Sequence, residues 1–189
     1  MGHKIVIWTI LLVALDQVVK ILVHTNMQLH ETVEVFPWFN LQYIENPGFA
    51  FGMELGSSGA VWGKVVLSLF RLVMIGALIY GIRYLLKRGN AVPKGVIVGA
   101  VFILAGAIGN MVDCAFYGLF IEEQNTGFLT GNVIDMIHLP LFKWENAPDF
   151  LSFLVGSDGY FFGAIFNVAD AYITCAVIYL LLFQYKFFK

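Results

Sequence analysis

The sequence predicts an all-α membrane protein of four transmembrane helices, with a small strand-forming part outside the bilayer, and three observations carry that reading. Of 189 residues, 59% are hydrophobic and only 13% charged, with mean hydropathy +0.79, whereas a soluble domain carries about a quarter charged residues. Four stretches, about 5–24, 63–86, 95–117 and 163–186, reach the roughly 20 apolar residues that a bilayer crossing needs. Lys and Arg gather at one side of those stretches, as the positive-inside rule requires of the cytoplasmic flank.

The first stretch follows Lys4 in the manner of a secretory leader. Asp16 and Lys20 interrupt its apolar run and no small-x-small cleavage pattern follows, so it is expected to be retained. Orientation follows from Lys4, from Arg83, Lys87, Arg88 and Lys94 around the second turn, and from Lys186 and Lys189. These place both termini in the cytoplasm and the segments 25–62 and 118–162 outside. The two outer segments hold most of the acidic residues and a single Lys or Arg, Lys143. Residues 1–189 read as one membrane domain, a monomer among membrane lipids. The net charge of −2 decides little, and no nucleic-acid partner is expected. Cys114 and Cys175 form no CxxC pair and default to apolar packing.

With this topology the polar groups of the spans converge on one outer level. Asp16 lies about 16 Å from the inner end of the first span, with Lys20 one turn further out on the same face. Asn110 and Asp113 fall in the last two turns of the third span, and Asn167 and Asp170 in the first two of the fourth. An ionised carboxylate at a helix centre costs about 2.5–3.5 kcal/mol on insertion scales, so such a group must pair, face the bundle interior or serve a function. Asp16 and Lys20 have a structural reading as an i, i+4 ion pair beside a direct role at a site. Asp113 divides between an interfacial cap and a site group. Asp170, about 10 Å below the outer end of a span starting at 163, has no basic neighbour in sequence and favours function.

The outer segments differ in texture from the spans. Residues 33–53 alternate β-favouring aromatic and branched residues, broken by Pro37 and by Asn46-Pro47-Gly48, and predict short strands on the membrane surface. Trp38, Phe39, Phe49 and Phe51 suit the headgroup region; a plain amphipathic anchoring loop is the other reading. In 118–162, Asp135 stands between Ile134 and Met136, which suggests either a partly desolvated carboxylate or an ordinary turn aspartate. Loops of that length tend to be functional. His3, His24, His30 and His138 lack metal-site spacing, no phosphate loop or GxSxG elbow is present, and the run Ala105–Gly109 reads as close helix packing.

Together these residues resemble the lipoprotein signal peptidases, the type II signal peptidases of bacterial inner membranes, over nearly the whole chain. The resemblance rests on Asp16-x-x-x-Lys20, Asn46-Pro-Gly-Phe-Ala-Phe-Gly52, Gly109-Asn110-Met-Val-Asp113, Val133-Ile-Asp135-Met-Ile and Phe166-Asn167-Val-Ala-Asp170. It implies an aspartyl endopeptidase with Asp135 and Asp170 as the catalytic pair, and with Asn46, Asn110, Asp113, Asn167, Asp16 and Lys20 supporting the site or contacting substrate. It also implies four helices with an extracytoplasmic β-cradle and no cofactor. The implied substrates are diacylglyceryl-modified prolipoproteins cut before the lipidated cysteine, and the implied inhibitors are of the globomycin type. Two carboxylates sharing a proton suit that chemistry, since close like charges in a low dielectric resist joint ionisation.

Two departures from the family pattern stand out. Cys114 follows Asp113 where the family usually has Arg, and the stretch 144–160 between Asp135 and Asp170 reads as an insertion. Arg71, about 12 Å below the outer surface in the second span, is the candidate replacement; a structural ion pair with Asp16 or Asp113, or snorkelling, is its other reading. Two other classes remain in view, a proton-coupled transporter with buried acids and a structural membrane protein. The first would line a midplane pathway with its acids and break its helices there, and the second needs no acid pair.

Overall fold

The computed structural model of the protein describes residues 2–47, 61–144, 148, 155–156 and 159–189. Helix α1 (Gly2–Asn26) buries Thr9, Asp16, Lys20 and Val23, a stripe at helical spacing, while Val6, Trp8, Leu11, Leu15, Val18 and Leu22 on its other faces are more than half exposed. That pattern inverts a soluble helix: the apolar faces look outward, as they must toward lipid, and the polar residues look into the bundle. Helix α2 (Val61–Lys87) likewise exposes Phe70, Val73 and Tyr80 and buries Gly63, Ser68 and Ile82.

Helix α3 (Lys94–Val112) is the centre of the bundle, packed against α1, α2 and the last helix. It continues through a π turn (Asp113–Tyr117) into the short α4 (Gly118–Phe120). The turn has a local cause, because the carbonyls of Cys114 and Ala115 accept the backbone N–H groups of Gly131 and Leu129 at 3.0 and 3.3 Å. Loop amides inserted at these carbonyls disturb the helical ladder. Gly131 permits the approach, since a Cβ there would meet the carbonyl of Asp113 and the N–H of Gly118.

Among the described residues three helices are long and apolar enough to cross a membrane: α1, α2 and the continuous run Lys94–Phe120. The fourth expected span is shorter than the sequence suggests. Helix α5 runs Val168–Phe183, 16 residues or about 24 Å, because Ile165–Phe166 forms a strand and Asn167 then caps the helix. The side chain of Asn167 accepts the N–H of Asp170 at 2.9 Å, and the Asp170 side chain reaches back to the N–H of Asn167, a capping box that fixes the start at this point. Asp170 therefore sits in the first turn of α5 and not two turns into a span.

The strand texture of residues 33–53 is met by β1 (Thr32–Phe36) and β2 (Phe39–Asn46). Two strands that were not expected, β3 (Val133–His138) in the long loop and β4 (Ile165–Phe166) in the fourth apolar stretch, join them in one antiparallel sheet in the order β1, β2, β3, β4. The expected strand character beyond Pro47, with Phe49 and Phe51, lies outside the described residues. At the β1–β2 hairpin Phe36 and Trp38 stack with centroids 5.5 Å apart and both stay exposed. The sheet meets the bundle through one apolar cluster, Val23 of α1, Tyr43 of β2, Tyr117 and Ile121 after α3, and Ile134 and Met136 of β3.

The α1–α3–α5 seam depends on small residues. A Cβ on Gly109 would stand 2.6 Å from Asp16 Oδ2 and 3.3 Å from the Cβ of Ala169, whereas one on Gly76 of α2 would meet nothing within 4 Å. Overpacking a fitted seam costs about 1–3 kcal/mol, and replacing an open helical Gly by Ala gains up to about 1 kcal/mol. Gly109→Ala is therefore expected to lower the thermal midpoint in detergent by several degrees, while Gly76→Ala leaves it unchanged or raises it. Equal midpoints for the two variants would remove the close-approach account.

Candidate active site

The lowest layer of the site is ionic and has no exposed surface. Lys20 Nζ lies 2.9 Å from Asp16 Oδ2 and 2.6 Å from Asp113 Oδ2, with both partners and the lysine fully buried, and it donates to Asn110 Oδ1 at 3.0 Å. An ammonium has three hydrogens and no lone pair, so these three acceptors saturate it. The pairing expected for Asp16 and Lys20 is present, and Asp113 joins it as a second carboxylate. Asp16 also turns its Oδ1 to the N–H of Ala169 at 2.9 Å, placing negative charge at the N-terminus of α5, where the free N–H groups and helix dipole favour it.

Above this layer two asparagines lead to two aspartates. Asn110 donates its amide to Asp170 Oδ1 at 2.8 Å. Asn167 donates to Asn110 Oδ1 at 3.1 Å and to Asp135 Oδ1 at 2.7 Å. From the sheet, Asn46 donates to Asp135 Oδ2 at 3.0 Å. The sequence stretches that hold these residues are far apart, yet α1, β2, α3, β3 and α5 each place at least one of them in a single hydrogen-bonded chain. Asp16, Lys20, Asn46, Asn110, Asp113, Asp135, Asn167 and Asp170 are all members of it.

Asp135 is a strand residue and not a turn residue. Ile134 and Met136 are fully buried against α1 and the π turn, and alternation along a strand then drives Asp135 to the opposite face, toward α5. It is only 2% exposed. Burial pushes its carboxyl up to about 7, with the nearby charge of Asp170 adding to the rise and the amides of Asn46 and Asn167 opposing it. Asp170 is half-buried, on the more open side.

Arg71 lies at the π turn. Its Nη1 lies 2.6 Å from Cys114 Sγ, beside the position where the resemblance led us to expect an arginine. It stands on one face of α2 with Lys64 and Ser68, which donate to Asn132 Oδ1 at 2.6 Å and to the carbonyl of Leu129 at 2.8 Å. This face holds the 129–132 loop that leads into β3.

Gln17 was not singled out by sequence. It donates to Asp113 Oδ1 at 2.7 Å, and to Asp16 Oδ2 and the Gly109 carbonyl at 3.2 Å each, while its own oxygen accepts Tyr117 Oη at 3.1 Å. Its place beside Asp16 in an apolar run was the available signal. A second polar chain also went unnoticed. Tyr43 Oη meets His24 Nδ1 and donates to Glu45 Oε1, both at 3.0 Å, and Asn132 donates to Glu45 Oε2 at 3.1 Å. It braces β2 next to Asn46, and no local pattern marks it.

Comparison with known proteins gives a consistent result. A family model described as signal peptidase (SPase) II matches residues 8–186. The chain is similar to a lipoprotein signal peptidase of Porphyromonas gingivalis, 36% identical over 193 residues spanning 95% of this chain and 82% of the relative. It is also similar to one from Amoebophilus asiaticus, 33% identical over 182 residues, 92% of this chain and 74% of the relative. A bacterial membrane enzyme solved by the in meso method at 2.3 Å resolution shares the fold, with a TM-score of 0.63, 24% identity, and coverage of 97% of this chain and 88% of that one.

The ionic layer generates its own test. Removing the cation strands two buried carboxylates, and breaking a buried pair from one side costs about 3–5 kcal/mol. Lys20→Met is therefore expected to lower the thermal midpoint in detergent well below that of Asp113→Asn, which leaves Lys20 paired with Asp16. The reverse order would show that Lys20 is not the keystone of the layer.

Proposed function

Because the chain belongs to the signal peptidase II family, we propose that it is a membrane aspartyl endopeptidase that removes signal peptides from diacylglyceryl-modified prolipoproteins, cutting before the lipidated cysteine. The observation that carries this reading is the pair Asp135 and Asp170, joined through Asn110 and Asn167 and cradled by amide donors. In the reaction one carboxylate takes a proton from water while the other, protonated, hydrogen-bonds the scissile carbonyl. The oxyanion that develops is neutralised by that proton, and the leaving amine collects the one taken from water. Asn46, Asn110, Asn167, Asp16, Lys20 and Asp113 hold the pair in place.

The substrate's acyl chains stay in the outer leaflet and present the cleavage site at the level where α3 ends and α5 begins. Lipid anchoring thus supplies positioning that a soluble protease obtains from pockets. In this reading α5, extended by the turn Tyr185–Phe187, is the fourth crossing of a bacterial inner membrane, both termini are cytoplasmic, and the sheet lies on the outer surface as a cradle. Trp38 and its stacked neighbour Phe36 face the headgroups. Globomycin-type cyclic peptides compete for the same site, and the chain works as a monomer.

Incubation of the purified protein in detergent with a lipidated prolipoprotein, with and without globomycin, tests the reading. Wild type is expected to cleave, and Asp135→Asn and Asp170→Asn each to lose at least about a hundredfold in kcat, the lower bound for general acid–base groups, while remaining folded. A carboxyl raised to about 7 holds its proton below that pH and loses it above, so the pair keeps one proton up to about that pH. The kcat profile should therefore fall on the alkaline side near 7. Full turnover in either variant would remove that residue from catalysis.

Arg71 belongs to this reading as the guanidinium that stands in at Cys114 and contacts substrate carbonyls. Its closeness to Cys114 Sγ supports that role, because a planar fork of donors reaches carbonyls that a thiol donor serves weakly. Arg71→Leu is expected to cut kcat/KM at least tenfold, and adding Cys114→Arg to restore part of it. Full activity in the single variant, or no recovery in the double one, would count against the assignment.

A further inference from the structure

The two aspartates are not in equivalent surroundings. Asp170 occupies the third position of α5, in the first turn, where the helix dipole favours an anion; the N–H of Ala169 there serves Asp16 and that of Asp170 itself serves Asn167. Its Oδ2 accepts the N–H of Asn167 at 3.4 Å and its Oδ1 the amide of Asn110 at 2.8 Å. The direction of that amide is forced, since Lys20 can only donate: the atom 3.0 Å from Nζ must be the oxygen of Asn110, which leaves its NH2 group for Asp170. The same contact with a full positive charge polarises Asn110 and strengthens its donation.

Asp135 has none of these advantages. It lies mid-strand between two fully buried neighbours, its donors are the neutral amides of Asn46 and Asn167, and it is almost unexposed where Asp170 is half-buried. The groups that act on it are Asn46 from β2, Asn167 at the cap of α5, Asp170 from α5, and Lys20 from α1. From this asymmetry we propose that the pair is unequal at rest: Asp170 is the ionised base that takes the proton from water, and Asp135 is the acid that gives its proton to the scissile carbonyl.

The direction of the Asp135 proton follows from its neighbours. Each of the four carboxylate oxygens of the pair faces an N–H donor: Asn167 Nδ2 and Asn46 Nδ2 on Asp135, Asn110 Nδ2 and the Asn167 backbone on Asp170. The amide oxygens are engaged elsewhere, that of Asn110 with Lys20 and Asn167, that of Asn167 with the N–H of Asp170. Neither of these two amide oxygens is thus open to the proton of Asp135, which in this proposal goes to the substrate carbonyl.

The cycle balances. Water gives a proton to Asp170 as its oxygen bonds the carbonyl carbon, and the carbonyl oxygen takes the proton of Asp135. When the C–N bond breaks, Asp170 protonates the amine and a hydroxyl of the diol returns its proton to Asp135. Both residues end as they began.

This inference rests on the peptidase reading for its chemistry but not for its test. Infrared difference spectra of the folded protein in detergent, taken just below pH 7, read the C=O stretch of a protonated carboxyl directly. Asp135→Asn is expected to delete one such band and Asp170→Asn to keep it, because burial, the larger cause of its retention, remains. Deletion by Asp170→Asn alone, by both or by neither overturns the assignment. Asn46→Ala, which strips a donor from Asp135, is expected to move the pH midpoint of that band upward, and an unmoved midpoint also overturns it. The bands report the proton whether or not the chain cleaves. A wild type inert toward lipidated prolipoprotein would remove the peptidase reading alone.

Discussion

The rest of the site depends on a lysine ammonium that has no solvent. Lys20 is held by Asp16, Asp113 and Asn110, and a buried charge is tolerated only with such saturation. Asn110 belongs to α3, Asp113 to the π turn that continues it and Asp16 to α1, so satisfying the ammonium fixes how the two helices face each other. Asp16 then reaches the first turn of α5 through the N–H of Ala169. One cation thereby registers three helices at one level.

The sheet contributes the fourth direction. Ile134 and Met136 are drawn into the apolar cluster between α1 and the π turn, and strand alternation leaves Asp135 no choice but the face that looks at α5. The π turn that allows this is produced by the same loop that feeds β3, through its N–H groups on the carbonyls of Cys114 and Ala115. The turn also begins at Asp113, a partner of Lys20. Helix, loop and strand are thus coupled over a few residues, and the two aspartates come together from elements that have no local reason to meet.

Much of this was legible in the sequence, for physical reasons that differ by element. The three long helices were readable because about 20 apolar residues admit few other fates. The intramembrane Asp, Asn and Lys were readable because each is costly unless it faces inward, and they do converge. The start of α5 was misplaced because Gly163 to Phe166 are as apolar as a span, and only the capping box of Asn167 and Asp170 separates strand from helix there. Gln17 and the chain from His24 to Asn132 were missed because their partners lie on other elements, which spacing along one helix cannot reveal. Asp135 could not be told from a turn residue without knowing that its two neighbours are buried.

A hydrolytic pair of carboxylates in a membrane protein faces two opposed demands. Keeping a proton near neutral pH requires removal from water, whereas hydrolysis requires a water molecule at the reacting carbon. Two equivalent acids at one depth would meet one demand and fail the other. In the proposed reading the two, Asp135 and Asp170, come from elements of different kinds. A strand whose flanking residues are sealed supplies the carboxyl that is shielded. A helix N-terminus, where N–H groups replace part of the hydration an anion loses, supplies the one that stays half-buried. The capping box that shortens α5 is therefore also what sets Asp170 at the boundary, since a helix starting at 163 would carry the same residue about 7 Å deeper along its axis relative to its own first turn. The local rule that ends the strand and begins the helix is the rule that gives the pair its asymmetry.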